Sequence, residues 1–146
     1  MPSYSFKDVT ATFVGPTGSF SLGYGSANAE EGIDVAAAAD KNTMTVGADG
    51  EVMHSLHADK SGQITVRLLK TSPLNQKLMA TYDAQAISAS LWGNNIITIS
   101  NTSAGDLHVG RQCAFKKKPD ITYKKDGDVI TWVFDAGKID SALGTY

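Results

Sequence analysis

Short segments of alternating apolar and polar residues run through most of this chain. In the clearest of them, Ile64, Val66 and Leu68 are separated by polar residues, so one side of a predicted strand is apolar and the other is hydrated. The pattern recurs along the chain, and we expect seven or eight of the segments that carry it to form strands. Segments that carry it are residues 4–13, 20–22, 33–37, 43–46, 51–55, 96–100, 107–115, 121–125 and 128–134.

Turn signals between these segments predict where the chain reverses. Asp49-Gly50 joins two alternating segments, and its backbone accepts the positive φ angles that a tight hairpin turn requires. Asp126-Gly127 joins residues 121–125 to residues 128–134 in the same way, so we expect these two segments to pair as a hairpin. The glycine- and proline-containing run Gly15–Gly18 is expected to reverse the first strand.

One helix is predicted near residues 72–85. Ser72 can accept a hydrogen bond from a free backbone N–H at the start of the helix, and Pro73 suits the first helical position because its missing donor costs nothing there. Apolar side chains then repeat every four residues and form one face that packs on a sheet. These side chains are Leu74, Leu78 and Tyr82.

Four less regular features also predict local structure. A change of side-chain parity near Lys7-Asp8 predicts a bulge in the first strand. The polar, glycine-rich run Gly23–Gly32 is expected to form an exposed loop. Ala36–Ala39 suits a strand or a helix equally well. A short turn of helix is expected around Lys138–Leu143.

These elements imply a mainly β fold with one flanking helix, arranged as an antiparallel β-sandwich or a distorted barrel. The 146 residues fit a single domain, residues 1–146, because a chain of this length can bury a sizeable core. A hydrophobic content of 42% with 19% charged residues argues against general disorder.

The sequence shows no targeting signal and has one cysteine, and both features predict a protein that folds in the cytoplasm of the cell that makes it. The sequence contains no apolar run near the ~20 residues that span a bilayer, and its first ten residues do not resemble a secretory signal. We therefore expect no membrane binding. Cys113 is the only cysteine, which excludes an intramolecular disulfide, and we expect it to be a small packed residue and not a reactive thiol.

Charge is distributed unevenly along the chain. Through Asp59 there are eight acidic residues and two lysines, a sum of −6, whereas from Lys60 onward there are eleven basic and seven acidic residues, a sum of +4. Chance and ordinary solvated surfaces explain such a difference. The alternative is a subunit with an acidic patch and a basic patch that attract each other between copies, because complementary charge sets orientation.

The candidate chemical motifs favour contact surfaces over catalysis. His54 and His57 have the HxxH spacing of a zinc site, but residues three apart on a strand point to opposite faces. We therefore expect the exposed region around them to contact another subunit. The glycine-rich runs lack the Gly-Lys-Ser/Thr of a phosphate-binding loop, and no GxSxG motif is present. No enzyme activity, metal or cofactor is expected.

A lysine cluster late in the chain has two interpretations. Lys116–Lys118 and Lys124-Lys125 could hold phosphates, with Tyr123 between them as a stacking surface for a base. The overall net charge of −2 favours a solvated or partner-facing patch instead, since nucleic-acid-binding domains usually carry a basic excess throughout.

Three parts of the chain together resemble the tail tube proteins of contractile-tailed bacteriophages. They are the opening Tyr4–Ser26, the central Asn42–Leu78 with its order GADGEVMHS, KSG and LLKTSP, and the closing Phe134–Gly144. The resemblance runs almost from end to end. The Ala36–Ala39 run departs from the family pattern, which has bulkier or more polar residues at this place.

The resemblance implies a structural role in the virion. Six subunits are expected to close into a ring through strands that pair across subunits, and stacked rings are expected to form a hollow tube. Implied partners are further copies of the chain, the sheath outside, the tape-measure protein and transiently viral DNA in the lumen, and baseplate and tail-terminator proteins. Synthesis in the host bacterial cytoplasm is expected. A tube that conducts DNA must avoid holding it, so we expect the lysine cluster to lie outside the lumen.

We expect the contact between rings to join the exposed region Asp49–Lys60 of one subunit to partners near Lys116–Lys118 of another. A capping or baseplate-proximal homologue that forms one ring and stops is an alternative. So is a soluble β-sandwich binding or adhesion module that uses Tyr24, Trp92 or residues 23–32 as its platform. The residues expected in the contact are Asp49, Gly50, Glu51, His54, His57, Asp59, Lys60, Lys116, Lys117 and Lys118.

Overall fold

Seven strands form one antiparallel sheet, and two further strands form a separate hairpin. The computed structural model describes residues 2–146 and, except at residues 29–31, their side chains. Strand order in the large sheet is β2-β1-β7-β8-β9-β6-β3, while β4 pairs only with β5. The elements are a 3₁₀ turn Phe6–Asp8, β1 Val9–Gly15, β2 Gly18–Ser21, β3 Asn28–Ala37, β4 Asn42–Val46, β5 Val52–Leu56, β6 Gly62–Leu69, α1 Leu74–Ala86, β7 Asn95–Asn101, β8 Asp106–Phe115 and β9 Val129–Ala142.

Alternation along the strands creates the core, as the sequence predicts. In β6 every second residue from Gly62 to Leu68 is buried, and β1 and β7 alternate in the same way. Side chains on this face pack into one cluster, which includes Phe13, Ile97 and Trp132. Burying them removes the apolar side of each strand from water, and this is the main favourable term in folding.

Contacts between distant strands show that the sheet is strongly curved. β1 and β9 are separated by two intervening strands, which in a flat sheet would hold them about 14 Å apart. Nevertheless the rings of Phe13 on β1 and Phe134 on β9 have centroids only 5.7 Å apart. The sheet therefore wraps around its own core, with β2 and β3 as unjoined edges. Of the two expected arrangements, the distorted barrel describes it and the two-sheet sandwich does not.

Phe115 lies at the centre of the core. Its ring is 5.0 Å from Phe134 and 5.9 Å from both Phe13 and Trp132, measured between centroids. Two further aromatic side chains outside the sheet also contact it, at 5.6 Å for Tyr82 on α1 and 6.3 Å for Trp92 in the following loop. One side chain thus joins three strands, the helix and a loop.

The helix begins as predicted and packs across the concave side of the sheet. The Ser72 hydroxyl oxygen accepts the Leu74 N–H at 3.3 Å, and Pro73 has the helical angles φ −65° and ψ −18°. Leu74 and Leu78 are buried in the core, with Tyr82 packed beside them. The predicted face of the helix is therefore confirmed.

A buried pair of amides joins the end of α1 to β7. Gln85 Nε2 donates to Asn95 Oδ1 at 2.7 Å, and Asn95 Nδ2 donates to Gln85 Oε1 at 2.9 Å and to the Cys113 carbonyl at 3.1 Å. Both side chains are fully buried. Buried amides cost free energy unless they are paired. The reciprocal hydrogen bonds between Gln85 and Asn95 therefore fix the end of α1 against β7.

Three local predictions are wrong. The chain at Lys7-Asp8 forms a 3₁₀ turn capped by Ser5, not a bulge. β3 begins at Asn28, so the predicted loop 23–32 is shorter than expected; the strand predicted at residues 33–37 is present, and Ala36 and Ala37 end it. Lys138–Leu143 is not helical, because β9 continues to Ala142 and pairs with β8 over this length.

The predicted hairpin at Asp126-Gly127 is also wrong. β9 pairs with β6 and β8, and residues 121–125 lie outside any strand. The Asp128 carbonyl accepts the Lys70 N–H at 3.1 Å, so the backbone groups of Asp128 point toward β6. A two-residue turn would require these same groups to point toward Lys125. The long-range pairing with β6 therefore excludes the local turn.

A bulge changes the side-chain parity of β8. Asn95 on β7 is opposite Cys113, but Ile97 is opposite Gly110, so β8 has one extra residue here, and Gln112 takes the positive φ of 54°. As a result Leu107 is exposed while Cys113 and Phe115 are buried. The strand predicted at residues 107–115 is therefore present as β8, but its alternation does not keep one buried face over the whole length.

Cys113 is buried and unpaired, and burial raises its pKa to about 11. A neutral thiol inside the core agrees with the expected packing role. No helix in the described part of the chain is long and apolar enough to cross a membrane.

Replacing Phe115 should destabilise the protein more than replacing an exposed residue on the same strand. Phe115→Ala removes five aromatic contacts and leaves a cavity, which should lower the free energy of unfolding by about 3–5 kcal/mol. Leu107→Ala, at a side chain that is 43% exposed, is the matched control and should change it by less than about 1 kcal/mol. Urea denaturation measures both, and equal losses would contradict the central role of Phe115.

Candidate functional site

The hairpin β4–β5 is a regular element that lies apart from the core. Val46 is opposite Val52, and the Gly47 N–H donates to the Glu51 carbonyl at 2.7 Å. The Gly50 N–H donates to the Gly47 carbonyl at 3.0 Å, and Gly50 has a φ of +89°. These contacts close a three-residue turn with a left-handed third residue, so the predicted reversal at Asp49-Gly50 is confirmed.

One face of this hairpin is apolar and uncovered. Because side chains alternate between faces, Met44, Val46, Val52 and Leu56 share one side, and all four are exposed. A two-stranded sheet is only marginally stable alone in water. An exposed apolar face on such an element is typical of a surface that another molecule covers.

The two histidines of the hairpin region contact β4 and do not face each other. Asn42 Nδ2 and His54 Nδ1 are 3.2 Å apart, and Thr43 Oγ1 and His57 Nε2 are 2.7 Å apart. Asn42 and Thr43 are adjacent and point to opposite faces of β4. The strand geometry therefore separates the two rings, as the spacing predicted.

Ion pairs connect the base of the hairpin to the large sheet. Asp140 on β9 accepts a hydrogen bond from Arg111, and its Oδ1 is 3.5 Å from Lys60 Nζ. The hydrogen bond from Arg111, with the charge of Lys60, lowers the pKa of Asp140. At the same place two hydrogen bonds from Ser61 lower the pKa of Asp59. Lys60 and Asp59 thus hold the point where the chain leaves the hairpin and enters β6.

The lysine cluster belongs to an irregular segment, residues 116–128, between β8 and β9. Lys117 lies 3.7 Å from Asp120, and Lys124 lies 3.2 Å from Asp128. Hydrogen bonds from the Val129 N–H and Lys124 lower the pKa of Asp128. Lys116 and Lys118 are exposed and have no ion-pair partner among the described residues. These two charges are available to a partner.

Lys70 anchors this segment to the end of β6. Its ammonium group lies 4.0 Å from the centroid of the Tyr123 ring and donates to the Thr122 carbonyl. A cation held over an aromatic face stabilises such a contact. Tyr123 therefore packs under a lysine of its own chain, and the sequence does not reveal this pairing because the residues are 53 positions apart.

The hairpin and the lysine-rich segment lie toward opposite ends of the large sheet. β6 and β9 pair from Gly62 opposite Ala136 to Leu69 opposite Val129, a length of about 23 Å. The hairpin leaves the sheet at the first of these ends, since Ala37 pairs with Gly62. Segment 116–128 accompanies β9 toward the second end, because the Lys116 N–H donates to the Val133 carbonyl. Within one subunit the two predicted contact regions do not meet.

Among solved structures, this fold is similar to components of contractile injection systems. The sheath/tube terminator of an extracellular contractile injection system, PVC, aligns with a TM-score of 0.63 at 13% identity, covering 97% of this chain and 98% of that one. The PVC sheath-tube complex gives 0.57 at 13% identity, with 97% and 92% covered. The tube terminating cap of the anti-feeding prophage gives 0.57 at 10% identity, with 99% and 93% covered. At these identities the likeness establishes the fold.

Sequence comparison identifies the family. Among curated proteins none matches the chain. The family model described as "Bacteriophage PhiTE tail tube protein" matches residues 1–144, which is nearly the whole sequence. The chain therefore belongs to the bacteriophage PhiTE tail tube protein family.

Proposed function

We propose that this protein is the subunit of a contractile-tail tube, and that it acts by self-assembly and not by catalysis. The observation that carries the proposal, beside the family, is the hairpin β4–β5. Its apolar face is formed by Met44, Val46, Val52 and Leu56 and has nothing to pack against within the described chain. In a tube each hairpin is covered by the neighbouring copy.

Ring closure uses the two unjoined edges of the large sheet, β2 and β3. Exposed strand edges carry free N–H and C=O groups that pair with other chains. If β2 of one subunit lies beside β3 of the next, the sheets continue around a closed ring and neither of these two edges remains open. We propose six subunits in such a ring, as the family resemblance implies.

Stacking of rings uses the two opposite ends of the subunit. The hairpin carries Asp49 and Glu51 at its tip, and Lys116 and Lys118 begin the segment that runs along β9 toward the far end. Two different surfaces at opposite ends make a heterologous contact, which propagates into an open filament and does not stop at a dimer. The unlike charges orient each ring in the same direction.

The finished tube is a virion component through which viral DNA passes. We propose that the sheath surrounds it, that a tape-measure protein fills it before ejection, and that baseplate and terminator proteins close its ends. Lysines engaged between rings do not line the bore, and this leaves the lumen neutral or acidic. Such a surface does not retain the phosphate backbone.

Two other functions remain to be separated from this one by experiment. A capping subunit has the same fold and forms a single ring. A monomeric binding module would use an exposed aromatic platform, but Trp92 packs against Phe115 and Tyr82, which leaves Tyr24 as the exposed member of that proposed platform. Rods, single rings and monomers are distinct in electron micrographs.

Purified protein should form hollow rods, and a charge placed on the apolar face of the hairpin should prevent this. Leu56→Glu buries a carboxylate without a partner in the contact, which costs about 3 kcal/mol and should raise the concentration needed for rods roughly a hundredfold. Ile87→Glu is the control, because Ile87 at the end of α1 is 84% exposed and Leu56 is 82% exposed.

Negative-stain microscopy and size-exclusion chromatography measure this effect. Both variants should keep the circular dichroism spectrum of the native chain. Strict monomers of the unmodified protein at high concentration would refute the tube, and rods of normal length from Leu56→Glu would remove the hairpin face from the contact.

Charge reversal tests the ring-to-ring contact. Asp49→Lys with Glu51→Lys should shorten or abolish rods, and Lys116→Glu with Lys118→Glu should do the same, because each puts like charges together. Combining all four reversals restores opposite charges and should restore rods. Counting rod lengths at low salt measures the rescue, and a fourfold variant no better than either double variant would discard this pairing.

A further inference from the structure

A third open edge lies within the large sheet, on the first half of β9. Ladder pairing between β8 and β9 stops where Phe115 lies opposite Phe134, and the Lys116 N–H to the Val133 carbonyl is one further bond. From Val133 back to Val129, β9 keeps β6 on one side only. We call residues 129–133 the β9 half-edge.

Some backbone groups on this half-edge lack a partner, although the Val129 N–H donates to Asp128 Oδ1 and the Val133 carbonyl accepts the Lys116 N–H. Because the Asp128 carbonyl faces Lys70, the residue after β6, the N–H and C=O groups of residues 130 and 132 face β6, and those of Val129, Thr131 and Val133 face the other side. No hydrogen bond within the described residues engages the backbone of Thr131 on that side. Thr131 is only partly buried, so a partner can reach it.

Segment 116–128 runs beside the half-edge without closing onto it. A groove of 280 Å³ separates them, lined by Lys117, Pro119, Asp120, Val129, Thr131 and Val133. A second, separate space of 180 Å³ lies between Lys70 and residues 120–122 and 128–130. The segment therefore forms the outer wall of a trough whose floor is a strand edge.

We propose that this trough receives one strand of the hairpin β4–β5 from a second copy of the chain, by main-chain pairing with the β9 half-edge. The inference rests on the proposed function and says how one ring of subunits binds the next. Addition of a strand to an open edge provides affinity through backbone hydrogen bonds, while side chains beside it provide selectivity.

Length and position support this occupant. The half-edge is five residues long, and so are β4 and β5. The hairpin leaves one end of the sheet and the half-edge opens toward the other end. A copy displaced along the strand direction therefore brings its trough to the hairpin of the copy behind it. The same displacement repeats from ring to ring.

Charge sets the direction of entry. The hairpin tip is acidic through Asp49 and Glu51. When the hairpin enters the trough tip first, its tip lies beside Val133. The Lys116 N–H bonds to the Val133 carbonyl there, and Lys118 follows two residues later. Residues 116–128 contain five lysines and three aspartates, and Lys70 beside them adds a further positive charge. An acidic strand end is therefore attracted into the trough.

Amide hydrogen exchange tests the proposal on the unmodified protein. In free subunits the Thr131 amide should exchange faster than those of Ile130 and Trp132, which face β6. On assembly into rods the Thr131 exchange should slow by roughly tenfold or more, because its N–H becomes bonded. Residue-resolved exchange on both samples provides the measurement, with the Ile130 and Trp132 amides as internal references.

A substitution separates backbone pairing from side-chain contact. Thr131→Pro removes the N–H, whereas Thr131→Val keeps it with a side chain of similar shape. Proline is tolerated where the N–H faces no partner, so both variants should fold, and only Thr131→Pro should lose rods. Thermal unfolding monitors folding.

The outcomes distinguish this inference from the proposed function. Rods in which Thr131 continues to exchange rapidly would overturn the strand pairing and leave the tube intact. The absence of rods from the unmodified chain would overturn both. If Thr131→Pro does not fold, the exchange experiment alone decides.

Discussion

The curvature of the seven-stranded sheet around Phe115 is the constraint on which the rest of the structure depends. Rings from β1, β9 and α1 all reach this one side chain, and they can do so only because the sheet bends through its middle. Because the sheet bends, the core side chains and α1 occupy its concave face. The hairpin β4–β5, which leaves the sheet at Ala37 and returns at Gly62, therefore has no concave surface left to pack on within its own subunit.

This division separates the residues that stabilise the subunit from those that join it to others. Core side chains such as Leu78 and Phe134 are fully buried, and changes there act on folding. Hairpin side chains such as Met44 and Leu56 are exposed, and we propose that changes there act on association. The family assignment gives this separation its purpose, because a tube subunit must fold alone and then present unsatisfied surfaces to identical copies. The charges follow the same division, with Asp49 near one end and Lys118 toward the other.

Local pattern predicted most strands and the helix, because each is specified by its own residues. Alternation in β6 and the Ser72-Pro73 start of α1 needed no information from elsewhere. Errors occurred where a distant strand decides the outcome. Residues 138–142 extend β9 because β8 lies beside them, and the β8 bulge at Gln112 is set by pairing with β7. For the site, exposure of the hairpin was predicted, but the contact of Lys70 over the Tyr123 ring and the β9 half-edge arise only from topology.

The failed hairpin at Asp126-Gly127 shows how a local preference and a function can conflict. Its turn residues favour a reversal, and a strand at 121–125 paired with β9 would have covered the half-edge. β6 prevents this by taking the Asp128 carbonyl, which turns the backbone of Thr131 outward while segment 116–128 stays beside it. Segments whose structure differs from their local sequence preference are found mostly at functional sites, here a surface with unpaired backbone groups. In this chain the departure lies at the edge where we propose that a second copy adds its strand, so the register of β6 against β9 both completes the core and leaves this edge open.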